Sequence, residues 1–405
     1  MANITRRGSS YLIKVSCGYD ADGKQIIKSK TWRIPKGMSD KRAEAEAQKA
    51  AVIFEEECHN GEVSSNPRLK FKDFIPTYLE MIKPHLSVTT YYYYVKALDN
   101  YIIPYMGNWV MKDIKPYNIQ QFITYLSNKP SEMHRRKDGT CPGEVKPISP
   151  ATVMRYLTVV RSVFRIAYKQ DIVTKNPTDA RRLEMPVVPQ TKVEIFSKQE
   201  TAELLMPLNK EPLQIKVYIL LSIITGARRG ELAALKFSDF NRETNILTIE
   251  RSAYKVTGMP TATKPTKENK CVSIGLNNFI FELIDRLREE KEQLREQLGN
   301  RWAGDEWLFT QWDGSLMNPH TMTRTFSKFL KKNGLRHRKL HALRHSTATL
   351  MLAAGYSIKE VQQRLGHGDI KTTSRYLHVI EEANTAATDT LTEILLGVDK
   401  KSEST

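Results

Sequence analysis

Cysteine is sparse: Cys17, Cys58, Cys141 and Cys271 are the four in 405 residues, and they stand far apart. With no CxxC pair, neither a zinc site nor a disulfide framework is expected. Long apolar runs are missing as well. The opening MANITRRGSSYLIKVS has no apolar stretch of signal-peptide length, and nothing nears the ~20 residues that cross a bilayer. The protein is therefore expected in the cytoplasm, with no membrane partner. A GxxxxGK loop closed by Ser or Thr is absent, so ATP is not expected. The histidines have no carboxylate cluster beside them, and neither a metal nor a cofactor is expected. Acidic charge is the minority: 45 Asp plus Glu stand against 62 Lys plus Arg, a net +17 with a pI near 9.5. Such an excess favours a polyanion, because each neutralised phosphate releases condensed counterions. Without a basic amphipathic anchor or a lipidation motif, nucleic acid is the expected partner.

Forty per cent hydrophobic residues over this length suffice for two or three domains with cores of their own. Residues 11–15 alternate apolar and polar as a half-buried strand does. Turn chemistry at Asp20–Gly23 precedes two further expected strands, Gln25–Lys30 and Thr31–Ile34, and Asp40 is placed to cap the helix that follows. Up to Arg42 there are ten basic residues and three acidic ones, which suits a sheet laid into a DNA groove as well as a solvated face. The polar stretch Gly61–Arg68 reads as a linker. Helices are expected near Phe71–Ile82, from Ser87, over Ile114–Leu126 and over Ser149–Tyr168, with a basic, Gly- and Pro-containing loop at Ser127–Pro147. Tyr91–Tyr94 cannot all lie on one buried face. Arg181–Lys192 holds two prolines and reads as an interdomain linker. Beyond it Ser197 and Glu200 form a capping box, an apolar helix runs over Ile215–Ile224, and strands are expected at Ile246–Ile249 and Cys271–Ile274 with Lys264–Lys267 in a turn.

Two stretches carry chemistry. The apolar helix delivers Thr225-Gly226-Ala227-Arg228-Arg229-Gly230-Glu231. Further on, His341–Tyr376 reads HALRHSTATLMLAAGYSIKEVQQRLGHGDIKTTSRY. His341 and Arg344, at i and i+3, leave one face of a helix and can reach one anion. His367 follows Leu365-Gly366, and Tyr376 follows Thr372-Thr373, a pair suited to a helix N-terminus. Singly, each motif is more often a solvated or core feature; the ordered set is specific.

HALRH followed by LGHGDIKTTSRY resembles the C-terminal signature of the tyrosine recombinases, the phage-type integrases, and TGARRGE resembles that family's first arginine box. The resemblance implies a chain that is mainly α with small β-sheets. Its parts are an arm-type DNA-binding domain at 1–62 (a three-stranded sheet plus helix), a helical core-binding domain at 69–180, and a mixed α/β catalytic domain with a C-terminal tail at 193–405. It implies a site-specific recombinase of a mobile element that works through a 3′-phosphotyrosyl intermediate. Tyr376 matches the nucleophile, and Arg228 and Arg344 match the two arginines that hold the phosphate. His341 orients or deprotonates the phenol and His367 donates to the phosphate. Lys264 matches the hairpin lysine that protonates the leaving oxygen, with Lys267 and Lys270 as alternatives; Arg229 is discounted, and His345 reads as structural. Expected partners are double-stranded DNA at core and arm sites, three further copies in a homotetramer, an excisionase and a host DNA-bending protein, in a bacterial cytoplasm at the nucleoid. A type IB topoisomerase would share the residues but lack the basic sheet at the front. A DNA-binding regulator with a decayed site would not retain all six.

Overall fold

The computed structural model describes residues 2–19, 24–59, 68–131, 146–189, 194–266, 271–304 and 306–366. The chain divides into two compact units, 1–190 and 191–405. The first opens with an antiparallel sheet of β1 (Asn3–Arg7), β2 (Ser10–Tyr19) and β3 (Gln25–Arg33), in that order, followed by α1 (Asp40–His59). Two expectations are corrected here. Residues 25–33 form one continuous strand, and the third strand is β1, whose sole apolar residue, Ile4, leaves no alternation to read. Gly8 makes the reversal between β1 and β2 with φ +57°. Asp40 is the first residue of α1, where its carboxylate accepts from Arg6 at 2.7 Å. Ile13 and Val15 on one face of β2 pack with Ala51 and Phe54 of α1. Tyr11 packs with Ala43 and Ala47, whose small side chains let helix and sheet approach closely.

The rest of this unit is helical: α2 (Phe71–Ile82), α3 (Val88–Ala97), a π-turn at Leu98–Ile102 leading into α4 (Ile103–Met106), α5 (Pro116–Asn128) and α6 (Pro150–Lys169). The starts follow local chemistry. Ser87 and Ser149 accept from the backbone N–H groups of Thr90 and Thr152, and proline opens α5 and α6, where its missing N–H costs nothing. Val153, Leu157, Val160 and Phe164 of α6 repeat at helical spacing and meet Phe71, Tyr78 and Phe122 in one core. All four tyrosines of Tyr91–Tyr94 are half-buried, and Tyr93 stacks on Tyr156 with ring centroids 6.4 Å apart. The stretch expected as an open linker begins as part of this core: Ala180–Arg182 is a capped 3-10 turn, and Leu183 and Met185 pack on the helices. Most of the expected loop at Ser127–Pro147 (132–145) and most of the Gly61–Arg68 linker lie outside the described residues.

The second unit holds α7 (Lys198–Leu208), α8 (Leu213–Thr225), the short α9 (Arg229–Ala233), a three-stranded sheet and a two-stranded hairpin. The sheet is antiparallel β4 (Phe240–Asn241), β5 (Ile246–Ile249) and β8 (Val272–Gly275). The hairpin pairs β6 (Arg251–Tyr254) with β7 (Ala262–Pro265). Then come α10 (Asn278–Leu298), α11 (Pro319–Lys332), α12 (His341–Ala353) and α13 (Ile358–Leu365). The capping box before α7 is present: Glu200 N–H donates to Ser197 Oγ at 3.0 Å and Ser197 N–H to Glu200 Oε2 at 2.8 Å. Nine of the thirteen side chains of α8 are apolar, and the helix is buried at the centre with Leu283, Ile284 and Leu287 of α10 and Leu343 of α12 in the same core. Its C-terminus presents the arginine box. Among the described residues no helix is long and apolar enough to cross a membrane.

Candidate active site

The site forms where the C-terminal ends of two helices, α8 and α13, meet α12. Gly226 closes α8 with φ +62°, the left-handed conformation a C-terminal cap needs. A Cβ there would fall 2.5 Å from Leu365 Cδ2, so the position excludes a side chain on packing grounds too. Gly366 ends α13 in the same way, with φ +60°. Each end leaves carbonyls without intrahelical donors and a partial negative charge. Three arginines supply the donors. Arg344, only 3% exposed, donates through Nη1 to Gly226 O and through Nη2 to Leu365 O, both at 2.6 Å. Arg228 donates through Nη2 to Gly366 O at 3.1 Å, and Arg364 through Nη2 to Ile224 O at 2.9 Å. Arg228 and Arg344, 116 positions apart in sequence by their numbering, thus both donate to the C-terminal end of α13, and Arg344 also to that of α8.

Arg228 is oriented further by Glu231, which is 6% exposed. Its carboxylate accepts from Arg228 Nη1 and from Arg228 N–H, each at 2.7 Å, so one buried acid sets both the guanidinium and the start of α9. Arg229 reaches α11, donating to Thr323 Oγ1 at 3.0 Å and lying 3.3 Å from His320 Nδ1. A small pocket is lined by Arg228, Glu231, Thr266, Arg364 and Gly366, and a second by Arg229, His341 and Arg344. Guanidinium groups outnumber carboxylates at both, which suits an anion.

His341 is the first residue of α12 and keeps an exposed edge. Desolvation by its neighbours, and then the charges of Arg344, Arg228 and Arg229, hold its imidazole below the ordinary value against a weaker pull from Glu231. It is therefore neutral at pH 7, with a lone pair that can accept a proton. His345, one helical turn on, does not point away from the site as its place beside Arg344 suggests. Its ring meets that of His341 edge-on with centroids 4.6 Å apart, because i and i+4 share a face. If His341 serves as a base, kcat/KM for DNA cleavage is held through neutral pH. It then falls on the acid side through a value below about 6.5, and His341→Asn abolishes that limb. A limb at or above the ordinary imidazole value would remove His341 from the role.

Lys264 lies on strand β7, opposite Ser252, and not in the turn expected for it; the loop of this hairpin runs between Tyr254 and Ala262. Its Nζ stands 5.7 Å from the centroid of the Tyr254 ring. The hairpin presses on α9: a Cβ at Gly230 would come within 2.5 Å of Ser252 Oγ and 2.7 Å of Ala253 O. One cross-strand step thus separates Lys264 from the backbone that carries Arg228, although no hydrogen bond joins the two side chains among the described contacts. Lys267, Lys270, His367 and Tyr376 lie outside the described residues, as does the tail after Tyr376. Arg364 is the residue that sequence reasoning missed. Its side chain is half-buried, its Nε has no hydrogen-bond partner, and burial pushes its guanidinium below the ordinary value. Its place directly before Leu365-Gly366 was the only signal available.

Comparison with known proteins decides what this arrangement belongs to. Residues 194–383 match the Phage integrase family, and residues 70–127 match the phage integrase N-terminal SAM-like domain. The chain belongs to the phage integrase family, the tyrosine recombinases. A tyrosine recombinase XerC-like protein of Caldanaerobacter subterraneus subsp. tengcongensis is 25% identical to it over 97% of this chain and 99% of that protein. Among solved structures, the integrase of transposon Tn1549 bound to transposon right end DNA matches this recombinase with a TM-score of 0.58. That match covers 76% of this chain and 94% of the other at 17% identity. A lambda integrase tetramer on a Holliday junction matches at 0.53 over 92% and 94% of the two chains, also at 17% identity. The mainly helical fold with small antiparallel sheets is that of these integrases.

Proposed function

We propose that this tyrosine recombinase integrates and excises a mobile element by cutting and rejoining DNA strands through a 3′-phosphotyrosyl link to Tyr376. The observation that carries the reading is the seating of Arg228 and Arg344 together on the C-terminal end of α13. Each guanidinium has five N–H donors, and the carbonyl and carboxylate bonds described above use only some of them. The remainder can meet the non-bridging oxygens of one phosphodiester, where negative charge grows during displacement. Helix α12 sets His341 beside Arg344, so a neutral imidazole is at hand to take the phenolic proton as the Tyr376 oxygen attacks phosphorus. The bond to the 5′-oxygen breaks, and that oxygen leaves with a proton from Lys264 in the β7 hairpin. His367 donates to the phosphate. Attack on the phosphotyrosine by the 5′-hydroxyl of another strand reverses each step and restores a phosphodiester, so no energy source is consumed.

A duplex nicked so that the short fragment bearing the freed 5′-hydroxyl diffuses away traps the covalent complex. Full-length protein should give a protein–DNA adduct on a denaturing gel. Binding to such a duplex without any adduct, at every attachment-site sequence of the element, would favour the decayed regulator instead.

The same reading divides the chain into an arm-binding domain over 1–62, a core-binding domain over 69–180 and a catalytic domain over 193–405. Four copies then act on two core sites, with an excisionase and a DNA-bending protein setting direction. In the basic N-terminal sheet, the cationic side chains Lys28, Lys30 and Arg33 of β3 meet arm-site phosphates. Deleting residues 1–61 should leave cleavage of a core-site suicide duplex within about threefold, since electrostatic contacts to the arm are separate from the core clamp. Complete integration in a plasmid assay should be lost. Loss of core-site cleavage would instead place the sheet in the core clamp.

A further inference from the structure

The second unit holds a larger cleft, of about 650 Å³, that shares no lining residue with either arginine pocket. Its charged walls are Lys236, Arg288, Lys291 and Arg295 against Glu292 and Glu306. The two carboxylates face cations of the same wall, with Arg295 at 3.6 Å from Glu292 and Lys236 at 3.9 Å from Glu306. Arg288 lies over the Phe237 ring at 5.0 Å.

Lys291 is the unusual member. It projects from α10, is 9% exposed, and its Nζ donates to Thr310 Oγ1 at 2.5 Å. Thr310 is itself fixed, because its backbone N–H and C=O both bond the Gln214 side chain, at 3.0 and 3.2 Å. No carboxylate pairs with Lys291 among the described residues. A buried ammonium has three donors and a charge; one neutral hydroxyl answers neither need. A methionine or leucine on this face of α10 would fill the volume at no electrostatic cost. The lysine is accounted for if an anion completes it.

We propose that this cleft is a second anion site of the recombinase, taking a phosphate group whose oxygens accept from Lys291 at its floor and from the exposed Arg288 and Arg295. Burial pushes the Lys291 amine down to about 7. A bound phosphate favours the charged amine, so binding above that pH takes up a proton. The other charged groups facing the amine are Lys236, Arg288, Arg295, Glu292 and Glu306. The phosphate has two sources, a small free phosphate compound or the backbone of DNA.

Pyrophosphate is the probe, titrated calorimetrically into full-length protein at pH 7.5 in two buffers of different ionisation enthalpy. Pyrophosphate also reaches the Arg228 pocket, so the quantity read is the difference between wild type and Lys291→Met. Wild type should show one additional saturable site with proton uptake, and Lys291→Met should lose it, weakening that binding by about tenfold or more. Melting of Lys291→Met no lower than wild type confirms that the fold is kept. The double variant Arg288→Gln, Arg295→Gln changes only exposed side chains and should weaken the same site. Identical isotherms for wild type and Lys291→Met, or no proton uptake, would overturn the proposal.

Acetylation of Lys291 by acetic anhydride, read by peptide mass spectrometry, identifies the source. Protection by pyrophosphate alone supports a small phosphate compound. Protection by a duplex without attachment sites, at the same phosphate concentration, supports the DNA backbone. Protection by neither sinks the site.

Discussion

Tyr376→Phe should bind core-site DNA with a Kd within about threefold of wild type and form no covalent adduct at all, a loss of at least ~10³ in trapped complex. Phenylalanine keeps the ring and removes one oxygen, the atom that would bond to phosphorus. Affinity rests instead on the cations that meet the backbone, and the substitution leaves every one of them in place. A nearby phenol makes the experiment discriminating. Tyr356 sits between α12 and α13, is 51% exposed and is accessible enough to compete as nucleophile. Tyr356→Phe is therefore the matched control, expected to trap as wild type does. Adduct persisting in Tyr376→Phe and vanishing in Tyr356→Phe would move the nucleophile to the turn before α13. Because the trapped adduct is read directly, slow religation cannot mask either result.

What could be read from the sequence was local. The hydroxyl caps at Ser87 and Ser149 and the Ser197–Glu200 box each depend on residues three apart, and each is found where spacing puts it. The arginine box was legible as a motif on the end of an apolar helix, which Gly226 closes. The features that were not legible depend on distant partners or on weak patterns. The carbonyl that Arg344 bonds at Gly226 lies 118 residues away, and nothing in HALRH announces it. Arg364 owes its place to the end of α8, 140 residues back. Lys264 was assigned, with Pro265, to a turn between the strands expected at Ile246–Ile249 and Cys271–Ile274. The β6–β7 sheet has only two strands, and an edge strand tolerates a proline that a central one would not. His345 was set aside on its neighbour, although its own i−4 partner, His341, decides where it points.

Arg344 carries the other large effect, because the same guanidinium is placed to serve both catalysis and architecture. Arg344→Ala should lower suicide-substrate cleavage by about 10²–10³, typical of removing one donor to developing negative charge. It should also lower stability by roughly 2–5 kcal/mol, because Gly226 O and Leu365 O are left buried without their donors and a cavity opens behind α12. Two readouts are then confounded in one variant, and Arg344→Lys separates them. Lysine retains the charge, but a single ammonium cannot span both carbonyls and still offer a planar pair of donors to a phosphate. Its melting temperature should recover part of the alanine loss, while cleavage stays within about tenfold of the alanine variant. Arg228→Ala supplies the contrast: Arg228 is a third exposed as a side chain and bonds one carbonyl, so it should lose cleavage to a similar degree with a smaller loss of stability. Cleavage by Arg344→Lys at the wild-type rate would show that only charge is required there. Unchanged melting of Arg344→Ala would show that the two helix ends hold together without it, and the shared seating of the two arginines would then explain nothing about the site.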